Sequence, residues 1–141
     1  MSLPRRCADS RAMHPHDVPV KVFLADDSDL ICDRVAAMLS AAGMEVVGRC
    51  ATPIECFNRI LASQPDVVVL DVQLDGGSGL EVMRTIRLAA PSVAFVVFSN
   101  NATLAYRRRY LAEGARQFVD KSTEAAGLTD AVARAAALAN H

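Results

Sequence analysis

The sequence lacks several features that would place it in a common functional class. No uninterrupted apolar run approaches the ~18 residues that a membrane-spanning helix needs, so we expect a soluble protein. Positive charge is not in excess, because 15 Lys and Arg stand against 16 Asp and Glu and the formal net charge is −1. A chain with this balance has no overall attraction for nucleic acid, and we expect no direct nucleic-acid binding.

The cysteines lack the spacing of a metal site. Cys7, Cys32, Cys50 and Cys56 include no CxxC pair, and three of them fall inside predicted helices or strands. We therefore expect neither a zinc site nor a disulfide framework. Reduced cysteines would in turn indicate a cytoplasmic protein.

The length and composition allow one domain. With 141 residues, of which 52% are hydrophobic, the chain can bury a sizeable core. Residues 1–18 have no apolar periodicity, so we expect a disordered N-terminal extension there and a single domain over 19–141. His14 and His16 could contact a metal, but no Cys, Asp or Glu cluster completes a site, and we interpret them as histidines of a flexible tail.

Strand and helix patterns alternate regularly along the rest of the chain. Apolar or β-rich runs predict five strands, at 20–25, 45–50, 67–70, 93–98 and 117–119. The runs 67–70 and 93–98 have no polar alternation, which favours strands that are buried on both faces. Five helical patterns alternate with these strands, and the alternation predicts an α/β fold with a doubly wound parallel sheet.

The predicted helices have recognisable starts and apolar faces. Ser28 can cap the first helix, and capping boxes open the second at Thr52 and the third at Ser78. The apolar spacing predicts two buried faces, formed by Ile31, Val35, Met38, Leu39 and Ala42 in the first helix and by Phe57, Ile60 and Leu61 in the second.

Polar side chains stand where the predicted strands end. Asp26 and Asp27 follow the first strand, Asp71 the third, Ser99 the fourth and Lys121 the fifth. Because right-handed crossovers place all these ends at one edge of the sheet, we expect the groups to meet there. A lone Asp71 would be explained by a turn, but clustered carboxylates need a cation, and Mg²⁺ suits such oxygen ligands.

The same cluster suits the transfer of a phosphoryl group. Lys121 offers a point charge and Ser99 a hydroxyl donor for phosphoryl oxygens. Asp71, in the middle, is the candidate nucleophile, because a carboxylate can attack phosphorus and form an acyl phosphate.

With these motifs the chain resembles the receiver domain of two-component response regulators, the CheY-like superfamily, from about Val20 to its end. The match consists of the Asp26-Asp27 acidic pair, Asp71 before a Ser-Gly-Leu-Glu segment, Ser99 as the switch hydroxyl, and Phe118 as the switch aromatic three residues before Lys121. The resemblance implies a flavodoxin-like sheet with strand order 2-1-3-4-5.

The resemblance also implies roles for these residues. Mg²⁺ would be held by Asp27, Asp71 and the backbone carbonyl of Gln73, with Asp26 acting largely through water. Asp71 would accept its phosphoryl group from a histidine kinase or a histidine phosphotransferase protein. The chain would then be no enzyme in the usual sense, since it would catalyse only its own phosphorylation and dephosphorylation.

The resemblance further implies a conformational switch. Ser99 would move towards the phosphoryl group, Lys121 would pair with it and Phe118 would turn inward. This movement would alter the surface of the fourth helix, fifth strand and fifth helix, which would serve an unknown downstream protein or a phosphorylation-dependent homodimer. Gln73 and Asn101 lie where the family tunes dephosphorylation.

Some questions stay open at this stage. Ser122 stands where receivers commonly have a proline after the lysine, so the geometry of the Lys121-Ser122 peptide is undetermined. Arg107, Arg108 and Arg109 form either a docking surface for a partner or a solvated helix face.

Other functions also stay open. The receiver could stand alone or belong to a larger regulator or hybrid kinase. A small phosphatase or nucleotide-binding enzyme is a weaker alternative, because the chain has no GxxxxGK[ST] loop and no second Asp two residues after Asp71.

Overall fold

The computed structural model describes residues 18–139, with side chains to Ala137. The expected extension over 1–18, with His14 and His16, lies outside the described residues except for Val18. Five strands form the main sheet: β1 (Lys21–Ala25), β2 (Glu45–Cys50), β3 (Val67–Leu70), β6 (Ala94–Ser99) and β7 (Gln117–Asp120). They are parallel and lie in the order β2-β1-β3-β6-β7. Counted within this sheet, the order is the predicted 2-1-3-4-5, and the α/β flavodoxin-like fold is confirmed.

Helices cover both faces of the sheet. They are α1 (Asp29–Ala41), α2 (Pro53–Ser63), α3 (Gly79–Ala89), α4 (Leu104–Ala112) and α5 (Leu128–Ala139), and a 3₁₀ turn at Ala125–Gly127 precedes the last of them. The apolar side chains of α1 and α5 form one core with one face of the sheet, while α2, α3 and α4 supply the other. The central strands β3 and β6 are buried along their whole length, as runs without polar alternation predict.

A small hairpin that the sequence patterns did not predict follows β3. Its strands β4 (Gln73–Leu74) and β5 (Gly77–Ser78) pair antiparallel across Asp75-Gly76. Gly76 has a φ of 82°, a conformation that glycine adopts without strain, and Asp-Gly is a preferred hairpin turn. Strands of two residues carry no periodicity, so only the turn residues could have predicted this hairpin.

The helix starts agree with their capping signals, whereas the buried faces differ in part. The hydroxyls of Ser28, Thr52 and Ser78 accept hydrogen bonds from backbone N–H groups three residues on, and Ser78 forms a full capping box with Glu81. The buried residues are Cys32, Val35 and Leu39 in α1 and Pro53, Cys56 and Ile60 in α2.

Two predicted core positions are wrong. Ala42 lies exposed just past the end of α1, and Leu61 is 43% exposed. Leu61 follows the buried Ile60 by one position, which on a helix turns its side chain by about 100° away from the core. Apolar character alone does not tell Leu61 from Cys56. The face of α2 that packs on the sheet contains Cys56 and Ile60 and not Leu61.

The expectation of no disulfide is also wrong, because Cys50 and Cys56 are joined. Cys50 ends β2 and Cys56 lies in α2, and the short turn between these elements brings their Cα atoms to 5.4 Å, a spacing that a disulfide spans. Cys32 is free and buried. The argument for a cytoplasmic location from reduced cysteines therefore loses its basis.

Among residues 18–139, no helix combines the length and apolar character required to cross a membrane.

Candidate functional site

Three carboxylates meet at the carboxyl edge of the sheet. β1 and β3 are neighbouring parallel strands, and Ala25 pairs with Leu70, so the residues that follow these strands start side by side. Asp26, Asp27 and Asp71 each have a carboxylate oxygen within 4.8 Å of the others. Asp26 is largely buried, at 9% exposure, whereas Asp27 is exposed and Asp71 is intermediate.

Lys121 enters this cluster from the loop after β7. Its Nζ lies 2.6 Å from Oδ2 of Asp26 and 2.9 Å from Oδ2 of Asp71. Burial lowers the pKa of Lys121, but the hydrogen bonds to the two carboxylates outweigh burial and raise this pKa above its ordinary value. The ammonium therefore stays charged at neutral pH and stands between the two carboxylates.

Backbone donors orient the carboxylates of Asp26 and Asp71 further. The N–H of Ser28 donates to Oδ1 of Asp26 at 2.9 Å, and the N–H of Val72 donates to Oδ1 of Asp71 at 2.7 Å. Burial nevertheless raises the pKa of Asp26, since it outweighs the hydrogen bonds from Lys121 and Ser28 that lower the pKa. An additional positive charge beside Asp26 would stabilise its ionised form and lower this pKa.

The donor set therefore fits a divalent cation. With the three carboxylates ionised, the single ammonium of Lys121 leaves the cluster with excess negative charge. Carboxylate and carbonyl oxygens are the ligands that hard cations prefer, and the exposed Asp27 leaves one side open to water. The cluster can thus hold a metal ion at the end of β1 and β3.

A cleft of about 180 Å³ opens beside the carboxylates. It is lined by Asp27, Asp71, Gln73, Ser99, Asn100 and Asn101. Ser99 is only 1% exposed, and its Oγ accepts a hydrogen bond from the N–H of Asn101 at 3.0 Å. The N–H of Lys121 donates to the carbonyl of Ser99 at 3.1 Å, so the loops after β6 and β7 are joined at this point.

Phe118 lies away from this cleft, in the core beneath α4. Its side chain is 8% exposed and its ring meets that of Tyr110 edge to face, with centroids 6.3 Å apart. The hydroxyl of Tyr110 donates to the carbonyl of Val72 at 3.4 Å, and burial raises the pKa of Tyr110 to about 12. Tyr110 thus links Phe118 to Val72, the residue after Asp71, a connection that the sequence spacing alone did not indicate.

Gly79 is a second site residue that the motif analysis treated only as part of a capping box. A Cβ at Gly79 would run into the backbone carbonyl oxygen of Asp71. The N–H of Gly79 also donates to the carbonyl of Val72 at 2.9 Å. Only glycine lets the first turn of α3 pack this closely against Asp71, the residue after β3.

The Lys121-Ser122 peptide has an ordinary geometry. No cis peptide bond occurs within residues 18–139, so this bond is trans. Ser122 donates its N–H and its hydroxyl to Oδ1 of Asp120, at 2.9 and 2.7 Å. These contacts form a local turn that the proline usual in receivers could not make, because proline has no backbone N–H and no hydroxyl.

Comparison with known proteins identifies the class. Residues 22–133 match the family model of the response regulator receiver domain, and the chain belongs to this family. It is 31% identical over 114 residues to the DNA-binding transcriptional activator DevR/DosR of Mycobacterium tuberculosis, covering 80% of this chain and 52% of that protein. The response regulator GacA of Pseudomonas aeruginosa shows the same identity and coverage.

Solved structures show the same fold. A two-component response regulator of the LuxR family from Aurantimonas sp. SI85-9A1 superimposes with a TM-score of 0.80 at 26% identity, covering 85% of this chain and 86% of that one. The chain spans about half or less of the length of the curated relatives it matches. Receiver domains are signalling domains rather than classical enzymes, and response regulators receive their phosphoryl groups from histidine kinases. The chain is thus a phosphoacceptor signalling domain of this class.

Proposed function

We propose that Asp71 is the phosphoacceptor of this receiver domain. The observation that supports this most strongly is that Asp71 shares Lys121 with Asp26 and also borders the cleft that Ser99 lines. Of the three clustered carboxylates, Asp71 alone combines a direct bond to the lysine with a place in that cleft.

The proposed donor is a phosphohistidine on a histidine kinase or a histidine phosphotransferase protein. A carboxylate oxygen of Asp71 attacks the phosphorus, the phosphorus–nitrogen bond to the histidine breaks, and the leaving imidazole takes a proton. The product is an acyl phosphate on Asp71. Lys121, which donates to Asp71, and the Ser99 hydroxyl, which borders the same cleft, are the proposed hydrogen-bond donors to the phosphoryl oxygens.

The cation we propose for the carboxylate cluster is Mg²⁺, held by Asp27, Asp71 and the backbone carbonyl of Gln73, with Asp26 acting largely through water. When bound, the ion neutralises negative charge on the carboxylates and on the incoming phosphoryl group. Asp27 is the exposed member of the cluster and Gln73 borders the same cleft, which is consistent with these assignments.

The rim of the cleft is proposed to set the lifetime of the acyl phosphate. Gln73 and Asn101 both line the cleft and are both exposed, where their amides can contact water that approaches the phosphorus. We expect substitutions there to change the rate of dephosphorylation rather than the ability of Asp71 to accept a phosphoryl group.

The output is proposed to be a change in the surface formed by α4, β7 and α5. Ser99 and Phe118 are the proposed switch residues, and they lie on the neighbouring strands β6 and β7. Phe118 is already turned inward, so phosphorylation would favour this orientation rather than create it. The partner at this surface is a downstream protein or a second copy of the chain.

We also propose that residues 19–141 form the receiver and do not themselves bind nucleic acid. The full reading frame decides whether this receiver stands alone or belongs to a larger regulator or hybrid kinase.

Intact-mass spectrometry with the Asp71→Asn variant tests the phosphoacceptor. Incubation of the wild-type chain with acetyl phosphate and Mg²⁺ should add one labile phosphoryl group, and the variant, which keeps the side-chain shape, should add none. Asp75→Asn is the matched control, because Asp75 is an exposed carboxylate in the adjoining hairpin turn. Equal phosphorylation of wild type and Asp71→Asn would contradict the proposal, and turnover of a substrate would favour an enzyme instead.

A further inference from the structure

Arg107, in the first turn of α4, faces inward although it belongs to a basic run. Its guanidinium donates three hydrogen bonds: to the carbonyl of Ala102 at 3.3 Å, to the carbonyl of Phe118 at 3.3 Å and to Oε1 of Glu124 at 2.8 Å. Arg108 and Arg109, its neighbours in the run, lie exposed. The run is therefore neither a uniform docking surface nor a uniformly solvated face.

The same guanidinium lies over the ring of Phe118. Its Cζ is 5.1 Å from the ring centroid, within the range of a cation–π interaction. Tyr110 meets the ring edge to face, so the Phe118 side chain is held between an arginine and a tyrosine of α4. Both contacts favour the inward orientation of Phe118.

Glu124 extends these contacts to the loop that carries Lys121. Its Oε1 accepts one hydrogen bond from the guanidinium of Arg107, with which it forms an ion pair, and another from the N–H of Asp120 at 2.9 Å. The N–H of Glu124 donates in turn to the carbonyl of Asp120 at 2.8 Å. Arg107 therefore joins the end of the Ser99 loop, the strand of Phe118 and the turn around Lys121.

We propose that Arg107 is a positioning residue that holds Phe118 inward and thereby couples the phosphoryl site to the α4 surface. This inference rests on the proposed role of Phe118 as a switch residue. Linkage makes the coupling reciprocal: if inward Phe118 favours a bound phosphoryl group, then losing Arg107 must weaken binding at Asp71. Arg107 would act only through Phe118 and Glu124, without touching the phosphoryl group.

The orientation of Phe118 can be measured without any phosphodonor. The chain has five phenylalanines, and labelling them all with 4-fluorophenylalanine gives a fluorine spectrum in which Phe118→Leu identifies the signal of Phe118. Paramagnetic relaxation by a dissolved gadolinium chelate then reports the exposure of each ring. In Arg107→Ala the relaxation rate of the Phe118 signal should rise about two- to fivefold. Loss of a cation–π contact and weak hydrogen bonds raises the population with an exposed Phe118 ring by about this factor.

Further variants separate positioning from general loosening. Arg108→Ala removes an exposed neighbour of the same type and should leave the Phe118 signal as in wild type. Arg107→Lys keeps the charge but loses the planar fork, so it should rescue only part of the effect. Glu124→Gln removes the ion pair with Arg107, while its amide oxygen can still accept the hydrogen bond from the N–H of Asp120. This variant should raise the relaxation of the Phe118 signal by less than Arg107→Ala does. An unchanged Phe118 signal in Arg107→Ala overturns the inference.

Binding of beryllofluoride, a phosphoryl mimic, tests the coupling. Arg107→Ala should weaken this binding in proportion to the loss of inward Phe118, which is less than the about two- to fivefold change in its equilibrium, and Arg108→Ala should not weaken it. Unchanged affinity together with a more exposed Phe118 would overturn the coupling. If wild type itself fails to bind the mimic or to be phosphorylated, the proposed function fails, whereas the fluorine experiment still decides whether Arg107 positions Phe118.

Discussion

The ammonium of Lys121 lies 2.9 Å from Oδ2 of Asp71, although 50 positions separate the two residues in the chain. The contact exists because β3 and β7 end at the same edge of the sheet, with β6 between them. A long-range ion pair at this edge gives a cluster of carboxylates one fixed positive charge. It is the geometric basis of the proposed phosphoryl chemistry.

Lys121→Met should slow phosphorylation of Asp71. The substitution keeps an unbranched side chain, one heavy atom shorter, but removes a charged donor aimed at the phosphoryl oxygens, a loss that typically costs about 10²-fold in rate. The initial rate of phosphorylation by acetyl phosphate, followed by phosphate-affinity electrophoresis, measures the effect. Lys21 is the only other lysine of the chain and is exposed, so Lys21→Met serves as the control. Equal rates for wild type and Lys121→Met would contradict the role of this ammonium.

Gly79→Ala should destabilise the fold. The added Cβ would meet the carbonyl oxygen of Asp71, and overpacking of this kind typically costs about 1–3 kcal/mol of the free energy of unfolding. Urea denaturation followed by circular dichroism measures this free energy. Gly127→Ala is the matched control, because a Cβ there meets nothing within 4 Å and should leave stability unchanged or slightly higher. A Gly79→Ala variant as stable as wild type would show that α3 can shift away from Asp71.

Reduction of the Cys50–Cys56 bridge should lower stability. The bridge closes a short loop between β2 and α2, with a sequence separation of 6, and a loop of this size is expected to contribute about 2 kcal/mol. Urea denaturation with and without a thiol reductant measures the difference, and a Cys50→Ala, Cys56→Ala double variant should show no dependence on the reductant. Cleavage after Glu55, which lies between the two cysteines, should in the absence of reductant leave two peptides joined through Cys50 and Cys56. Separate peptides would contradict the bridge.

The Tyr110 hydroxyl should titrate only at high pH. Burial raises its pKa from 10.0 to about 12, so the folded state favours the protonated phenol. The stabilisation that this shift represents is complete below pH 10.0 and is lost as the pH rises through about 12. Ultraviolet absorbance of tyrosinate against pH should show a late step that disappears in Tyr110→Phe. If the step persists in that variant, it does not belong to Tyr110.

Much of the fold and the main site could be predicted from the sequence. The runs 67–70 and 93–98 are apolar without alternation, and such runs indicate central parallel strands regardless of the rest of the fold. Once the strands were counted, topology alone indicated that Asp26, Asp71 and Lys121 would meet, because parallel strands with right-handed crossovers end at one edge. The capping residues Ser28 and Ser78 fixed helix starts through local hydrogen bonds that need no tertiary information.

Other features depend on packing between elements, which local patterns do not contain. Leu61 and Cys56 are both apolar residues of α2, and only the way in which α2 lies on the sheet decides that Cys56 is buried. The bridge from Cys56 to Cys50 depends on the same docking. The sequence does not show that the side chain of Arg107 differs in orientation from that of Arg108. The orientation of Arg107 depends on its contacts with Phe118 and Glu124, which are distant in the chain.

The identity of the phosphorylated residue tests the account most directly. Reduction of the acyl phosphate with borohydride converts the modified aspartate to homoserine, which marks its position permanently for peptide sequencing by mass spectrometry. After treatment with acetyl phosphate and Mg²⁺, the account predicts homoserine at position 71 and at no other aspartate. Homoserine at position 26 or 27 instead, or none in a folded chain supplied with both reagents, would contradict it.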